Sequence, residues 1–149
     1  MIKLVISPEY FGKNDNKNDI VAQVKRLGAY SVEIDENTGF VSAFMTVDNY
    51  EKFVEDIKMR IEKTAADIKS KHKNIEEIKY NGDYTVFDII SGKLSKKERR
   101  SIVFDLLMSS ATYQVISGIP QGEASVKVKF YDKDNKLVEC IDTAERLMI

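Results

Sequence analysis

The residues best suited to chemistry in this chain are five cations within eight positions, at Lys93, Lys96, Lys97, Arg99 and Arg100. Ammonium and guanidinium groups bind phosphates and carboxylates, so this basic segment predicts a contact with an anion or an acidic partner. On a helix, Lys96, Arg99 and Arg100 would share one face, because residues three and four positions apart are neighbours. The alternative interpretation is a solvated helix start whose cations only keep the protein soluble.

The charge balance shows that the basic segment is a local feature. The chain has 23 Lys and Arg against 24 Asp and Glu, and without the five cations and Glu98 it keeps 18 basic and 23 acidic residues. The isoelectric point is about 5.9. The sequence lacks a larger basic stripe interleaved with aromatic residues, a feature that nucleic-acid-binding proteins commonly show. A protein partner is therefore the main prediction, and a nucleic-acid-associated protein that uses residues 93–100 is the alternative.

The sequence lacks residues that the nucleotide-binding and calcium-binding motifs require at particular positions. Gly92-Lys93 resembles the end of a phosphate-binding P-loop, but Phe87 replaces the upstream glycine and Leu94 replaces the magnesium-binding Ser or Thr. Residues 132–143 begin like a calcium loop, yet lysine, leucine and threonine stand where a ligand, a glycine and the closing glutamate are needed. We interpret residues 132–136 as a hairpin turn.

A zinc site or a Cys-His nucleophile is not expected from a single histidine and a single cysteine. His72 lies among lysines at the predicted end of a helix, where we expect it to be exposed. Cys140 alternates with Val138 in a predicted strand, so we expect a small buried side chain. No catalytic residue, metal ligand or cofactor is predicted.

The length of 149 residues predicts one compact domain over residues 1–149, with sub-lobes 1–73 and 74–149 as the alternative. A lone cysteine excludes an internal disulfide, and no secretory signal pattern opens the chain. We therefore expect a cytoplasmic protein. No apolar stretch approaches the roughly 20 residues that cross a bilayer, so no membrane association is predicted.

A hairpin and two helices are predicted in the first half of the chain. Strands are predicted at residues 2–7, 30–34 and 40–47, with a turn at 35–39 between the last two. Asp19 is the predicted N-cap of a short helix that ends at Gly28. Asp48 and Glu51 form a capping-box pattern, and apolar residues follow at helical spacing, which predicts a long helix from Asp48 to about residue 71.

The second half repeats the pattern of a hairpin followed by a helix. Asn81-Gly82 predicts a tight type I′ turn between strands at 75–80 and 84–90. Ser95 and Glu98 form a capping box for a helix that ends at residues 118–120. Residues 124–131 alternate between apolar and polar, which predicts a half-buried strand in an antiparallel sheet. The last strand is predicted at 137–141, and residues 142–149 are predicted as a short helix or a loose tail.

The element order β-α-β-β-α-β-β-α-β-β predicts an α+β fold, with a mostly antiparallel sheet built from hairpins and packed against about three helices. Its core should include Phe53, Ile57, Ile61 and Ile68 of the long helix and the apolar face of residues 126–130.

With no recognised site chemistry, the sequence favours a non-catalytic protein-binding module such as an inhibitor, adaptor or accessory factor. Its size, its composition and the absence of recognised chemistry are compatible with an origin in a mobile genetic element. The second alternative, after nucleic-acid association, is an enzyme or small-ligand binder whose site is assembled from scattered residues.

Overall fold

The computed structural model describes residues 1–119 and 122–146 and confirms the predicted α+β fold and element order. The elements are β1 (Ile2–Ile6), α1 (Lys17–Arg26), β2 (Ser31–Ile34), β3 (Val41–Met45), α2 (Val47–Lys71), β4 (Ile75–Tyr80), β5 (Val86–Ser91), α3 (Lys96–Ile116), β6 (Lys127–Tyr131), β7 (Leu137–Asp142) and α4 (Thr143–Arg146). A single 3-10 turn at Pro8–Tyr10 follows β1. The short helix α4 occupies part of the predicted tail, and residues 147–149 lie outside the described residues.

The strands form two sheets, and the chain divides into two compact units, Met1–Asp56 and Ile57–Ile149. The division falls within α2, whereas the predicted sub-lobes meet at residues 73 and 74. Whether the two units make one domain stays a prediction. Within the residues described here, no helix is both long enough and apolar enough to cross a membrane.

The first unit contains an antiparallel sheet of three strands in the order β1-β3-β2. The central strand β3 buries Val41, Ala43 and Met45, because alternate side chains of a strand point to the same face. The predicted turn between β2 and β3 is confirmed: Asp35 accepts a hydrogen bond from the Asn37 amide at 2.8 Å. Gly39 has φ +78°, a conformation that glycine adopts without steric cost.

Both helix starts in this unit differ from the prediction. Asn16, not Asp19, is the N-cap of α1; its side chain accepts from the Asp19 amide, and Asp19 is the third helical residue of the capping box. Helix α2 begins one residue before Asp48, and the Thr46 hydroxyl accepts from the Asn49 amide at 3.1 Å. In both helices the residue predicted as the cap lies within the first turn, because Asp is favoured both at the cap and in the first turn.

The second unit contains a four-stranded sheet in the order β4-β5-β6-β7. The pairs β4/β5 and β6/β7 are antiparallel, whereas β5 and β6 are parallel. A parallel pair needs a crossover connection, and α3 supplies it. The expectation that residues 124–131 lie in an antiparallel sheet is therefore correct for only one of the two neighbours of β6.

The core of the second unit confirms the predicted apolar stripes. Ile57, Ile61 and Ile68 of α2 are at most 4% exposed, and Phe53, at 6%, is buried in the first unit. The alternation of Val126, Val128 and Phe130 is also confirmed by exposures of at most 1%. Ile102 and Leu106 of α3 and Phe87 and Ile89 of β5 are fully buried.

The hairpin between β4 and β5 is confirmed, but its turn is longer than the predicted two-residue type I′ turn. Gly82 is not at positive φ, and Tyr84 takes that conformation instead, with φ 55°. The Asn81 side chain holds the turn: its Oδ1 accepts from the amides of Thr85 at 2.9 Å and Val86 at 3.1 Å. An asparagine that bonds to its own turn favours such a loop over the tight alternative.

Candidate interaction surface on helix α3

Helix α3 begins where the sequence predicts, because the capping box of Ser95 and Glu98 is complete. The Glu98 amide donates to Ser95 Oγ at 3.1 Å, and the Ser95 amide donates to Glu98 Oε1 at 3.2 Å. These two bonds satisfy donors that the helix itself leaves unpaired. The cap places Lys93 on the loop before α3 and the other four cations within the first five residues of the helix.

Four cations of the basic segment are exposed to solvent: Lys93, Lys96, Lys97 and Arg100. Among the described residues, none of the four forms an ion pair within 4.0 Å. Each cation near a helix N-terminus opposes the macrodipole at a cost of about 0.3–1 kcal/mol. These four charges therefore form no stabilising ion pair within the described structure.

Arg99 is the exception, since its side chain is only 14% exposed. Its Nε donates to Glu139 Oε1 at 2.7 Å, and its Nη1 donates to the Leu94 carbonyl at 2.8 Å. The guanidinium thus joins α3 to β7 and to the loop before the helix. The shared solvent face expected for Lys96, Arg99 and Arg100 does not form, because Arg99 is committed to an internal ion pair.

His72 is not at an exposed helix end, as the sequence suggested, but is 14% exposed beside Glu98. The distance between His72 Nδ1 and Glu98 Oε2 is 3.3 Å. The pKa of Glu98 is held below its ordinary value, first by the hydrogen bonds from the Ser95 backbone and side chain and then by His72. The only acidic residue of the basic segment is therefore also occupied within the fold.

An exposed stripe runs along α3 from the basic segment. Lys97, Arg100, Phe104 and Met108 follow one another at intervals of three and four residues, so they share one helix face. Phe104 is 61% exposed and Met108 is 59% exposed. The opposite face carries buried Ile102, Val103, Leu106 and Ser110. We call the set Lys97, Arg100, Phe104 and Met108 the α3 stripe.

Sequence reasoning missed the apolar half of this stripe. The signal was present, because Phe104 and Met108 lie four and eight residues after Arg100 and off the apolar face of α3. A helix with large apolar residues on two faces often has a second contact to make. A groove of about 540 Å³ adjoins the stripe through Met108, with Thr64, Asp67, Ile68 and Lys71 of α2 on its other side.

Cys140 is exposed rather than buried, because Cys140 pairs with Lys129 of β6 and so lies on the opposite sheet face from Val128 and Phe130. Across the described part of the chain, no three His, Cys, Asp or Glu side chains are grouped so as to hold a metal ion.

Comparisons with protein-family models, with curated proteins and with solved structures gave no match for this chain. A function for the chain must therefore be argued from its own surfaces.

Proposed function

We propose that this protein is a non-catalytic protein-binding module, such as an inhibitor, adaptor or accessory factor, whose contact surface is the α3 stripe. The observation that carries the proposal is the exposure of Phe104 and Met108, at 61% and 59%. They lie on the same helix face as Lys97 and Arg100, two cations that have no acidic partner in the described residues. Single exposed apolar residues are ordinary on protein surfaces. Two on one helix face, continuous with unpaired cations, form a patch of the composition found in interfaces.

The side chains of the stripe have the properties of interface anchors. Aromatic residues, Met and Arg are enriched where partner proteins meet, and Lys is depleted from the centre of such contacts. In this stripe Phe104, Met108 and Arg100 are the anchors, and Lys97 lies at the end. A hydrophobic centre beside a charged rim is the usual arrangement of a specific interface.

Charge supports a partner with an acidic surface. The exposed cations Lys93, Lys96, Lys97 and Arg100 oppose the dipole of α3 and have no ion pair among the described residues. The rest of the chain carries an acidic excess. Carboxylates of a partner would neutralise these cations and speed association, since complementary charge steers encounter. The small extent of the basic surface and the isoelectric point of about 5.9 favour a protein over a nucleic acid.

Photocrosslinking tests the proposal directly. A benzophenone amino acid is placed at position 104 in cells that carry the gene, and at position 59 as the control, because Met59 is 60% exposed on α2. We expect position 104 to trap one protein that position 59 does not trap. The trapped product should disappear when Lys97 and Arg100 are both changed to glutamate. The same products from both positions, or no product from position 104, would contradict the proposal.

Binding measurements with the trapped partner then quantify the stripe. Phe104→Ser should weaken affinity by about thirtyfold or more, the loss expected for a hot-spot anchor of about 2 kcal/mol. Met59→Ser should leave affinity unchanged. If the trapped material is nuclease-sensitive and its log affinity falls steeply and linearly with log salt, the nucleic-acid alternative replaces the proposal.

A further inference from the structure

A cavity of about 390 Å³ lies in the second unit, at the end of the sheet where β5 and β6 stop. It is lined by residues 91–94 and 130–134, with Arg99 and Val138. The last paired residues of the two parallel strands are Ile90 of β5 and Tyr131 of β6. Beyond them, β5 leads to α3 and β6 turns back to β7. Crevices outside the carboxyl ends of parallel strands are frequent ligand sites, because the departing chains separate there. The volume is suited to a small molecule.

The loop on one side of this cavity has its carbonyl groups satisfied and two amide groups free. The acceptors are the carbonyls of Gly92, Lys93 and Leu94, and their donors are Ser91 Oγ at 2.8 Å, Asn74 Nδ2 at 3.0 Å and Arg99 Nη1 at 2.8 Å. In the described chain, the amide nitrogens of Lys93 and Leu94 donate no hydrogen bond. Successive unpaired amides of a loop form a region of positive potential that suits an anion.

Of the charged residues that line the cavity, one cation and one carboxylate, Lys93 and Asp134, have no side-chain partner in the described structure. Lys93 forms no ion pair with a described residue, and the Lys133 ammonium is 3.8 Å from Glu76 in an exposed, weak pair. Asp132 Oδ1 already accepts from the amides of Asp134 and Lys136, both at 2.9 Å. Arg99 is neutralised by Glu139. Asp134 is thus the one lining carboxylate without a hydrogen bond or ion pair in the described structure.

Lys133 brings the turn after β6 up to the loop after β5. Its Cε lies 3.5 Å from the position that a β-carbon on Gly92 would occupy. Asn74 holds the loop on its other side, because the Gly92 amide donates to the Asn74 carbonyl at 2.8 Å. The loop is therefore held in place by Asn74, and the exposed Lys133 side chain lies beside it.

We propose that this cavity binds a small phosphate monoester. The two ammonium groups of Lys93 and Lys133 and the free amides of residues 93 and 94 supply donors for the phosphoryl oxygens. These contacts act against the negative charge of Asp132 and Asp134, which line the same cavity. Val138 and Tyr131 offer apolar surface for the esterified group. The site contains no residue of the α3 stripe but shares Lys93 with the basic segment, so Lys133→Gln tests the cavity and Phe104→Ser tests the protein contact separately.

Titration with phenyl phosphate, followed by amide chemical shifts in NMR spectra, tests the site. We expect saturable shifts at the amides of Lys93 and Leu94, and no saturable shifts with phenol at the same concentrations. Lys93→Gln and Lys133→Gln should each weaken affinity by about tenfold, the effect of one charge-assisted contact. The matched control is Lys136→Gln, an exposed lysine of the same turn that does not line the cavity.

Three outcomes would overturn the proposal. One is the absence of saturable shifts up to about 10 mM phenyl phosphate, beyond the range of weak specific binding. Another is equal binding of phenol, which would show that the phosphate makes no contact. The third is a loss of affinity in Lys136→Gln as large as that in Lys133→Gln, which would show a general charge effect.

Discussion

Replacement of Arg99 by methionine should destabilise the fold by about 2–3 kcal/mol, although Arg99 belongs to a segment whose other cations are exposed. Its hydrogen bond to the Glu139 carboxylate is 2.7 Å long and that to the Leu94 carbonyl is 2.8 Å. A hydrogen bond to a charged group contributes about 1.5–3 kcal/mol, and one to a neutral carbonyl about 1 kcal/mol. Loss of a cation near the helix start recovers about 0.3–1 kcal/mol, which leaves the stated net loss.

Equilibrium unfolding in urea at pH 7, followed by far-UV circular dichroism, measures the effect. Arg100→Met is the matched control, because Arg100 is exposed and forms no ion pair among the described residues. Its free energy of unfolding should stay within about 0.5 kcal/mol of the wild-type value, or rise slightly. In a double-mutant cycle, Glu139→Gln should cost at least about 1 kcal/mol less in the Arg99→Met background than in the wild-type protein.

Two results would refute this reasoning. A loss below about 0.5 kcal/mol for Arg99→Met would show that water replaces the ion pair without penalty. An equal loss for Arg100→Met would show that the segment acts as a whole and that the internal contacts of Arg99 have no special role. The comparison also matters for function, because a charge-removal test of the basic segment must leave Arg99 unchanged if binding and folding are to be separated.

Three further predictions concern the second unit. Ile57→Ala should lower the free energy of unfolding by about 2–5 kcal/mol in urea melts, since Ile57 is 4% exposed and a cavity would remain; a loss below about 0.5 kcal/mol would mean that this face of α2 is not packed. Gly82→Ala should change the free energy of unfolding by less than about 0.5 kcal/mol, because nothing lies within 4 Å of the added carbon and φ is not positive. Asn81→Ala should lower it by about 1–2 kcal/mol, because the hydrogen bonds of Asn81 to the turn are lost. A larger loss for Gly82→Ala than for Asn81→Ala in thermal or urea melts would support the tight type I′ turn instead. Burial, and secondarily the nearby Glu62 carboxylate, raises the pKa of Tyr84 from 10.0 to about 12, so the neutral phenol is favoured in the folded state. The free energy of unfolding of the wild type, relative to that of Tyr84→Phe, should be constant below about pH 10 and fall as the pH rises through about 12. A free-energy difference that does not change between pH 8 and pH 12 would contradict the shift.

Short-range chemistry made much of the fold predictable. The Ser95–Glu98 capping box, the turn at Asp35 and the alternation of residues 126–130 each depend on residues within a few positions of one another, and all three are confirmed. The misplaced caps of α1 and α2 show the limit of the same signals. Several polar residues near a helix start can each serve as the cap, and the backbone geometry of the neighbouring residues chooses among them.

The candidate surfaces were less predictable, because each depends on what lies across the fold from a residue. The basic segment is visible in the sequence, but the division between a structural Arg99 and exposed neighbours depends on Glu139, forty residues later. The expected exposure of His72 failed for the same reason, since Glu98 lies twenty-six residues away. Cys140 was expected to be buried on the basis of strand alternation. Alternation shows that successive side chains face opposite sides of the sheet, but it does not show which side packs against the core.

The sequence alone determined the class of the fold, the order of its elements, the apolar stripes of its core and the location of its concentrated positive charge. These properties depend on periodicity and composition, which act within one element at a time. Only the tertiary structure decided that β5 and β6 run parallel, that a cavity opens where they end, and that no element among the described residues covers Phe104 and Met108. Such features arise when separate elements pack together, because packing chooses which of several compatible faces is buried and so leaves the others to make contacts outside the fold.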